Sequence, residues 1–178
     1  MIMLAAVRDF AGFYLVLTLT ATGLAKFRMR RVTTNSLRVE GVVPPSLTAP
    51  VVMAVSATEI LLATCIVSGR RPLASGLATA AVFVAFGGYR LAVVIKTGWT
   101  SCSCTGTSIV YKATRPTVVA AILVPLLQAA LAILWAFGPP TGSAASSGVL
   151  VLALVVPVLF FLRGALSPAG PRSVAPRV

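Results

Sequence analysis

The chain contains no histidine and only three acidic residues, Asp9, Glu40 and Glu59, in 178 positions. Without imidazole it lacks the commonest general base and the commonest metal ligand. Three scattered carboxylates exclude a carboxylate-rich cation cage and a paired acid–base site. No glycine-rich, phosphate-cradling loop opens any helical stretch. Cysteine is scarce too, limited to Cys65, Cys102 and Cys104. The only chemically active pattern left is Cys102-Ser103-Cys104, a dithiol with one residue between its sulfurs.

What is present is apolar: 58% of residues are hydrophobic, 10% are charged, and mean hydropathy is +0.99. A hydrocarbon layer ~30 Å thick needs about 20 apolar residues as helix. Such runs occupy residues 10–25, 50–68, 73–95 and 116–137, and a shorter one at 144–162 carries Pro157. The pattern predicts an all-α polytopic membrane helical bundle, with a four-helix core plus a fifth C-terminal span. Residues 1–137 would form the core, and residues 138–178 a Gly/Pro/Ser linker, the fifth span and a basic tail. The first run, with Arg8 before it and small residues near Ala21, also has the outline of a cleaved signal peptide. Its length suits a full span, and it is read as one.

A net charge of +12 raises the question of nucleic acid, but no basic patch interleaved with aromatics appears, so none is expected as a partner. The basic residues fall in loops. Eleven follow spans one, three and five, and three lie on the other side. The positive-inside rule then puts the loop after span three in the cytoplasm.

The linker 26–49 mixes arginines with Met29, Val32, Leu37 and Val39 and ends in Pro44-Pro45. It is either an interfacial amphipathic segment or a solvated basic loop. Gly69-Arg70-Arg71-Pro72 is a tight turn that makes spans two and three antiparallel neighbours. Small residues along span three, Gly76, Ala80 and Gly87 among them, allow close helix packing. Pro125 should kink span four, and Gln128 should bond to a neighbouring helix.

Glu59 lies mid-span, where an ionised carboxylate costs at least ~2.5–3.5 kcal/mol, so it should face the bundle with a partner. Lys26, ending span one, and Arg90, near the end of span three, are the two cations available. The choice between a structural ion pair and a role in proton handling or cofactor binding is open. Cys65, near the far end of span two, is expected to be a small buried hydrophobe, too distant to pair with the dithiol.

The dithiol lies in a small-residue stretch, Gly98 to Gly106, with Lys96, Lys112 and Arg90 nearby in sequence. Positive potential favours thiolate, and a strained two-cysteine ring is easily reduced. Thiol–disulfide exchange is therefore the preferred reading. Soft-metal binding, such as Cu(I), and a structural or inert pair are the alternatives.

The order of these features is familiar. Gly23-Leu24-Ala25-Lys26-Phe27 closes span one, a linker ends in prolines, span two carries Glu59, and span three leads into C-x-C-x-G at Cys102, Cys104 and Gly106. Over residues 10–137 this resembles the MauE/DoxX-like membrane proteins, the group containing the methylamine-utilisation membrane component. The resemblance implies a cell-membrane protein linked to disulfide formation, acting with a thioredoxin-like partner to mature an envelope protein. It makes Cys102 and Cys104 the redox pair, with Gly106 as motif backbone, and Lys26 and Glu59 the polar core. The family motif commonly reads Cys-Gly-Cys-Phe-Gly; here Ser103 and Thr105 replace its glycine and phenylalanine, leaving both thiols in place. The implied role favours the external face for the dithiol, against the charge count. Reoxidation would need a thioredoxin-like domain or a membrane quinone. Two rivals stand beside this reading: a non-enzymatic membrane scaffold, and a small-molecule transporter built on Glu59 and Arg90.

Overall fold

A computed structural model describes residues 2–101, 110–112, 114–138 and 155. The chain runs α1 (Ile2–Arg28), α2 (Arg30–Glu40), α3 (Thr48–Ser68), α4 (Pro72–Thr97), β1 (Trp99–Ser101), β2 (Val110–Lys112) and α5 (Arg115–Phe137). Four of these helices are long and apolar enough to cross a membrane, over Ala6–Arg28, Thr48–Ser68, Pro72–Thr97 and Val118–Phe137. They coincide with the first four expected spans. The fifth, at 144–162, lies outside the described residues except for Val155. The fold is a membrane helical bundle, to which the structure adds one short antiparallel β pair.

Lipid tails are as apolar as leucine, so burial from water does not hold such helices together; close packing does. Two pairings dominate, α1 on α3 and α4 on α5, with α1 also touching α5. Gly76 sits on α4 where a Cβ would stand 2.5 Å from Ala136 Cβ and 2.8 Å from the Ala132 carbonyl oxygen. Only hydrogen fits there, and the two backbones meet closely. Leu15, Leu19, Ala63, Ile66, Phe83, Ala132 and Trp135 fill the shared core. Leu61, Leu91, Ile95, Val119 and Leu127 point outward, as a lipid-facing surface requires.

Gly69, left-handed at φ 61°, ends α3 by donating its N–H to the Ile66 carbonyl, and Pro72 opens α4. This is the expected tight turn, yet α3 and α4 touch only lightly. The turn sets direction; small-residue complementarity sets the packing partners. Pro125 is housed inside an unbroken α5, with Gly87 facing its ring. Gln128 donates to the Tyr14 hydroxyl at 3.3 Å, the interhelical bond expected of it.

The linker is mostly helix rather than loop. Met29 keeps the hydrogen bonding continuous from α1 into α2, its N–H on Ala25 and its carbonyl on Thr33. Thr33, Leu37 and Glu40 form a buried stripe on α2, while Arg30, Arg31 and Arg38 stay exposed. That periodicity makes the stretch an amphipathic helix whose buried stripe packs on the bundle, where a wholly solvated loop was the other expectation. Gly41, left-handed at φ 64°, terminates it on the Leu37 carbonyl. α1 and α4 end, and α3 and α5 begin, on the face that carries α2 and the β pair.

Candidate functional site

Lys26 is the last-turn lysine of α1, and Glu59 is mid-helix on α3. Their side chains are 6% and 2% exposed. The Lys26 ammonium donates to both carboxylate oxygens, at 2.7 Å to Oε1 and 2.8 Å to Oε2. The same Nζ stands 5.3 Å from the centroid of the Phe86 ring on α4, within cation–π range. Gly23 makes the pair geometrically feasible. A Cβ there would lie 3.0 Å from Ile60 Cγ1, 3.2 Å from the Ser56 carbonyl oxygen and 3.3 Å from Glu59 Cβ. One helical turn before Lys26, this glycine lets α1 lie against α3 at the level where the charges meet.

The two candidate cations are thus separated. Lys26 takes the carboxylate; Arg90 lies half-buried on α4, engaged in contacts of its own. The close approach of α1 to α3 at Gly23 brings the Lys26 ammonium within reach of the carboxylate.

A second polar contact joins α2 to α4. The Tyr89 hydroxyl donates to the buried Glu40 carboxylate, and the Lys96 ammonium donates to the Gly41 carbonyl. The amphipathic helix is therefore tied at its C-terminal end to the helix that leads into β1. Sequence reasoning missed Phe86, Tyr89 and Glu40 as site residues. The available signal was the helical spacing of Phe86, Tyr89 and Val93, one α4 face turned inward.

Between these contacts lies a cavity of about 240 Å3. Lys26 lines it from α1, Ala85, Phe86 and Tyr89 from α4, and Val51, Val52 and Val55 from α3. Thr33 and Leu37, on the buried stripe of α2, line the remaining side.

β1 follows α4 after Gly98, left-handed at φ 67°. It pairs antiparallel with β2 in the register Trp99↔Lys112, Thr100↔Tyr111, Ser101↔Val110. Cys102, Cys104 and Gly106 lie outside the described residues, in the segment joining those strands. Cys65 is a free thiol on α3, half-buried rather than buried as expected. It sits near the end of α3 remote from the β pair. Among the described residues no group of three His, Cys, Asp or Glu gathers to hold a metal ion.

Four lipid-length helices around a buried ion pair define a multi-pass membrane protein, with the bilayer as its solvent. Residues 2–119, from α1 through the start of α5, match the family model described as methylamine utilisation protein MauE. The chain belongs to that family. No curated protein and no solved structure matches it.

Proposed function

We propose that this MauE-family protein is a thiol–disulfide exchange component of the cell membrane, working through Cys102 and Cys104 on a thioredoxin-like or client envelope protein. The observation that carries the reading is the β pair. Ser101 and Val110 are register partners, so both ends of the segment containing C-x-C are clamped together at the end of α4. Paired strands on either side of C-x-C, at the end of α4, suit a dithiol that must meet a partner's sulfur. Family membership supports the same reading.

In the forward step a thiolate of the partner attacks one sulfur of the Cys102–Cys104 disulfide. A mixed disulfide forms and the other cysteine leaves as thiolate. The partner's second thiolate then attacks the mixed disulfide. The partner departs oxidised, and the membrane protein holds both electrons as a dithiol. The external face is the compartment in which a disulfide of this kind persists.

The test is the redox state of the pair in intact cells. A membrane-impermeant maleimide should label Cys102 and Cys104 only after reductant is added. A Cys104→Ser or Cys102→Ser variant should then trap a partner as a mixed disulfide that reductant releases. Thiols found reduced, and reached only after permeabilisation, would sink the proposal in favour of a scaffold. A transporter built on Glu59 would instead show its largest loss on Glu59→Gln, with serine at both cysteines harmless.

A further inference from the structure

The exposed side of α2 gathers three arginines in one groove. Arg31, Asn35 and Arg38 recur at helical spacing with Arg30 beside them, and all four are exposed. They form one wall of a groove of about 540 Å3; Pro50 and Met53, in the first turns of α3, form the other. Arg38 is steadied there by its Nε donating to the Thr48 hydroxyl at 3.3 Å. Among the described residues Arg30 and Arg31 have no hydrogen bond or ion pair. The chain's three acids are engaged elsewhere. Glu40 is on the buried stripe against Tyr89, Glu59 is held by Lys26, and Asp9 is near the start of α1. No side-chain carboxylate is left to meet the charge of the groove, so the matching anion is external.

The place of the groove in the bundle narrows the anion further. α1 can cross the membrane as far as Arg28, and α3 can enter it at Thr48, so α2 between them lies where hydrocarbon gives way to headgroups. Val32 and Val39, two turns apart and exposed on another side of α2, suit that depth. Met53 is five residues along α3 from Thr48, about 7.5 Å toward the membrane interior, and its side chain is exposed. The groove is therefore basic at headgroup level and apolar below it. A soluble phosphate would leave the Met53 side of it unused. A zwitterionic lipid would bring its own cation among three guanidiniums.

We propose that this groove binds the headgroup of an anionic phospholipid. Arg30, Arg31 and Arg38 meet its phosphate diester, for which the guanidinium fork supplies paired donors. The Asn35 amide bonds to the glycerol head, and an acyl chain runs down past Pro50 and Met53. The lipid braces α2 against α3 beside the Arg38–Thr48 bond, from the side away from the buried stripe. The site is independent of the dithiol reading above.

The experiment uses the full chain, stripped of lipid in dodecyl maltoside and given phosphatidylglycerol and phosphatidylcholine in equal amounts. Native mass spectrometry counts the lipid that stays bound. Wild type should retain phosphatidylglycerol in preference to phosphatidylcholine. Arg30→Gln with Arg31→Gln should weaken that retention by at least about tenfold. Arg70→Gln with Arg71→Gln removes the same charge at the turn on the opposite face, and should leave retention unchanged. The first pair is exposed, so its loss should not move the unfolding midpoint in phosphatidylcholine nanodiscs. Asn35→Asp, which keeps all three arginines and sets a repelling carboxylate among them, should weaken retention too should the arginine pair fold poorly. No preference for phosphatidylglycerol, or equal losses from the two arginine pairs, overturns the site in favour of general surface charge. Displacement of the lipid by inorganic phosphate overturns it in favour of a soluble phosphate compound. Displacement by a polyglutamate peptide, with inorganic phosphate inert, overturns it in favour of an acidic segment of a partner protein.

Discussion

The two principal helix seams of this bundle join the same kind of surfaces by different means. At the α4–α5 seam Gly76 meets Ala132 and Ala136, and the contact is made of small and apolar groups. At the α1–α3 seam Gly23 plays the same steric part, but one turn further on Lys26 and Glu59 bury a bidentate ion pair. Glycine alone suffices to bring two helices together in lipid, as the first seam demonstrates. The second seam adds a buried ion pair to the same kind of glycine contact. Removing two ions from water costs several kcal/mol each, and their attraction rarely returns more than it costs. The Lys26 end of the pair stands at the wall of the cavity between α2, α3 and α4.

The comparison can be broken most forcefully at Glu59. Glu59→Gln strands the Lys26 ammonium and should cost about 3–5 kcal/mol, read as a fall in thermal or denaturant midpoint of the purified protein. The paired change Lys26→Met with Glu59→Leu should recover most of that stability. Should the paired change remain as unstable as the single one, the ion pair is structural and the contrast between the seams disappears.

Next in size is the small-residue seam itself. Gly76→Val puts side-chain atoms where Ala136 Cβ and the Ala132 carbonyl already stand. It should cost toward the upper end of the ~1–3 kcal/mol range for overpacking, and cross-linking between α4 and α5 should weaken. A neutral result would mean that the helices do not meet there. Gly23→Ala is milder. Its new methyl sits 3.0–3.3 Å from Ile60, Ser56 and Glu59, so the neighbours must yield a few tenths of an ångström. A loss of about 1 kcal/mol is expected. The substitution spreads the seam at the level of the charges, and its unfolding midpoint should fall less than that of Gly76→Val. An equal or larger fall for Gly23→Ala would make the α1–α3 seam the tighter of the two.

The smallest effect belongs to the polar contact outside both seams. Gln128→Leu removes the 3.3 Å bond to Tyr14 between α5 and α1. Interhelical hydrogen bonds in lipid average about 0.6 kcal/mol, and the unfolding midpoint should scarcely move. A loss several times larger would make this bond a third organising contact, and the bundle would no longer divide into two seams.

Much of this architecture is legible from composition and spacing. The four spans follow from apolar run length, because a bilayer admits only segments that satisfy their own backbone. The turn at Gly69–Pro72 follows from residue chemistry, and Gln128 announces its bond by being amide in an apolar helix. Glu59 marks itself by its cost. The β pair at 99–101 and 110–112 was not legible, since three-residue strands carry no periodicity against a polar loop. Neither was the ladder from Glu40 to Tyr89, two residues 49 positions apart whose meeting depends on where α2 is laid down.

By itself, then, the sequence determined that this protein lives in the membrane, which four stretches cross it, and that its buried carboxylate needs a cation. These are properties of local hydropathy and of single charges, which need no partner to be read. Only the tertiary structure decided that the cation is Lys26 rather than Arg90, and that α2, Phe86 and Tyr89 surround it with a cavity. Those outcomes depend on the rotation of each helix about its axis and on how closely Gly23 lets α1 approach α3, which no stretch of chain encodes alone.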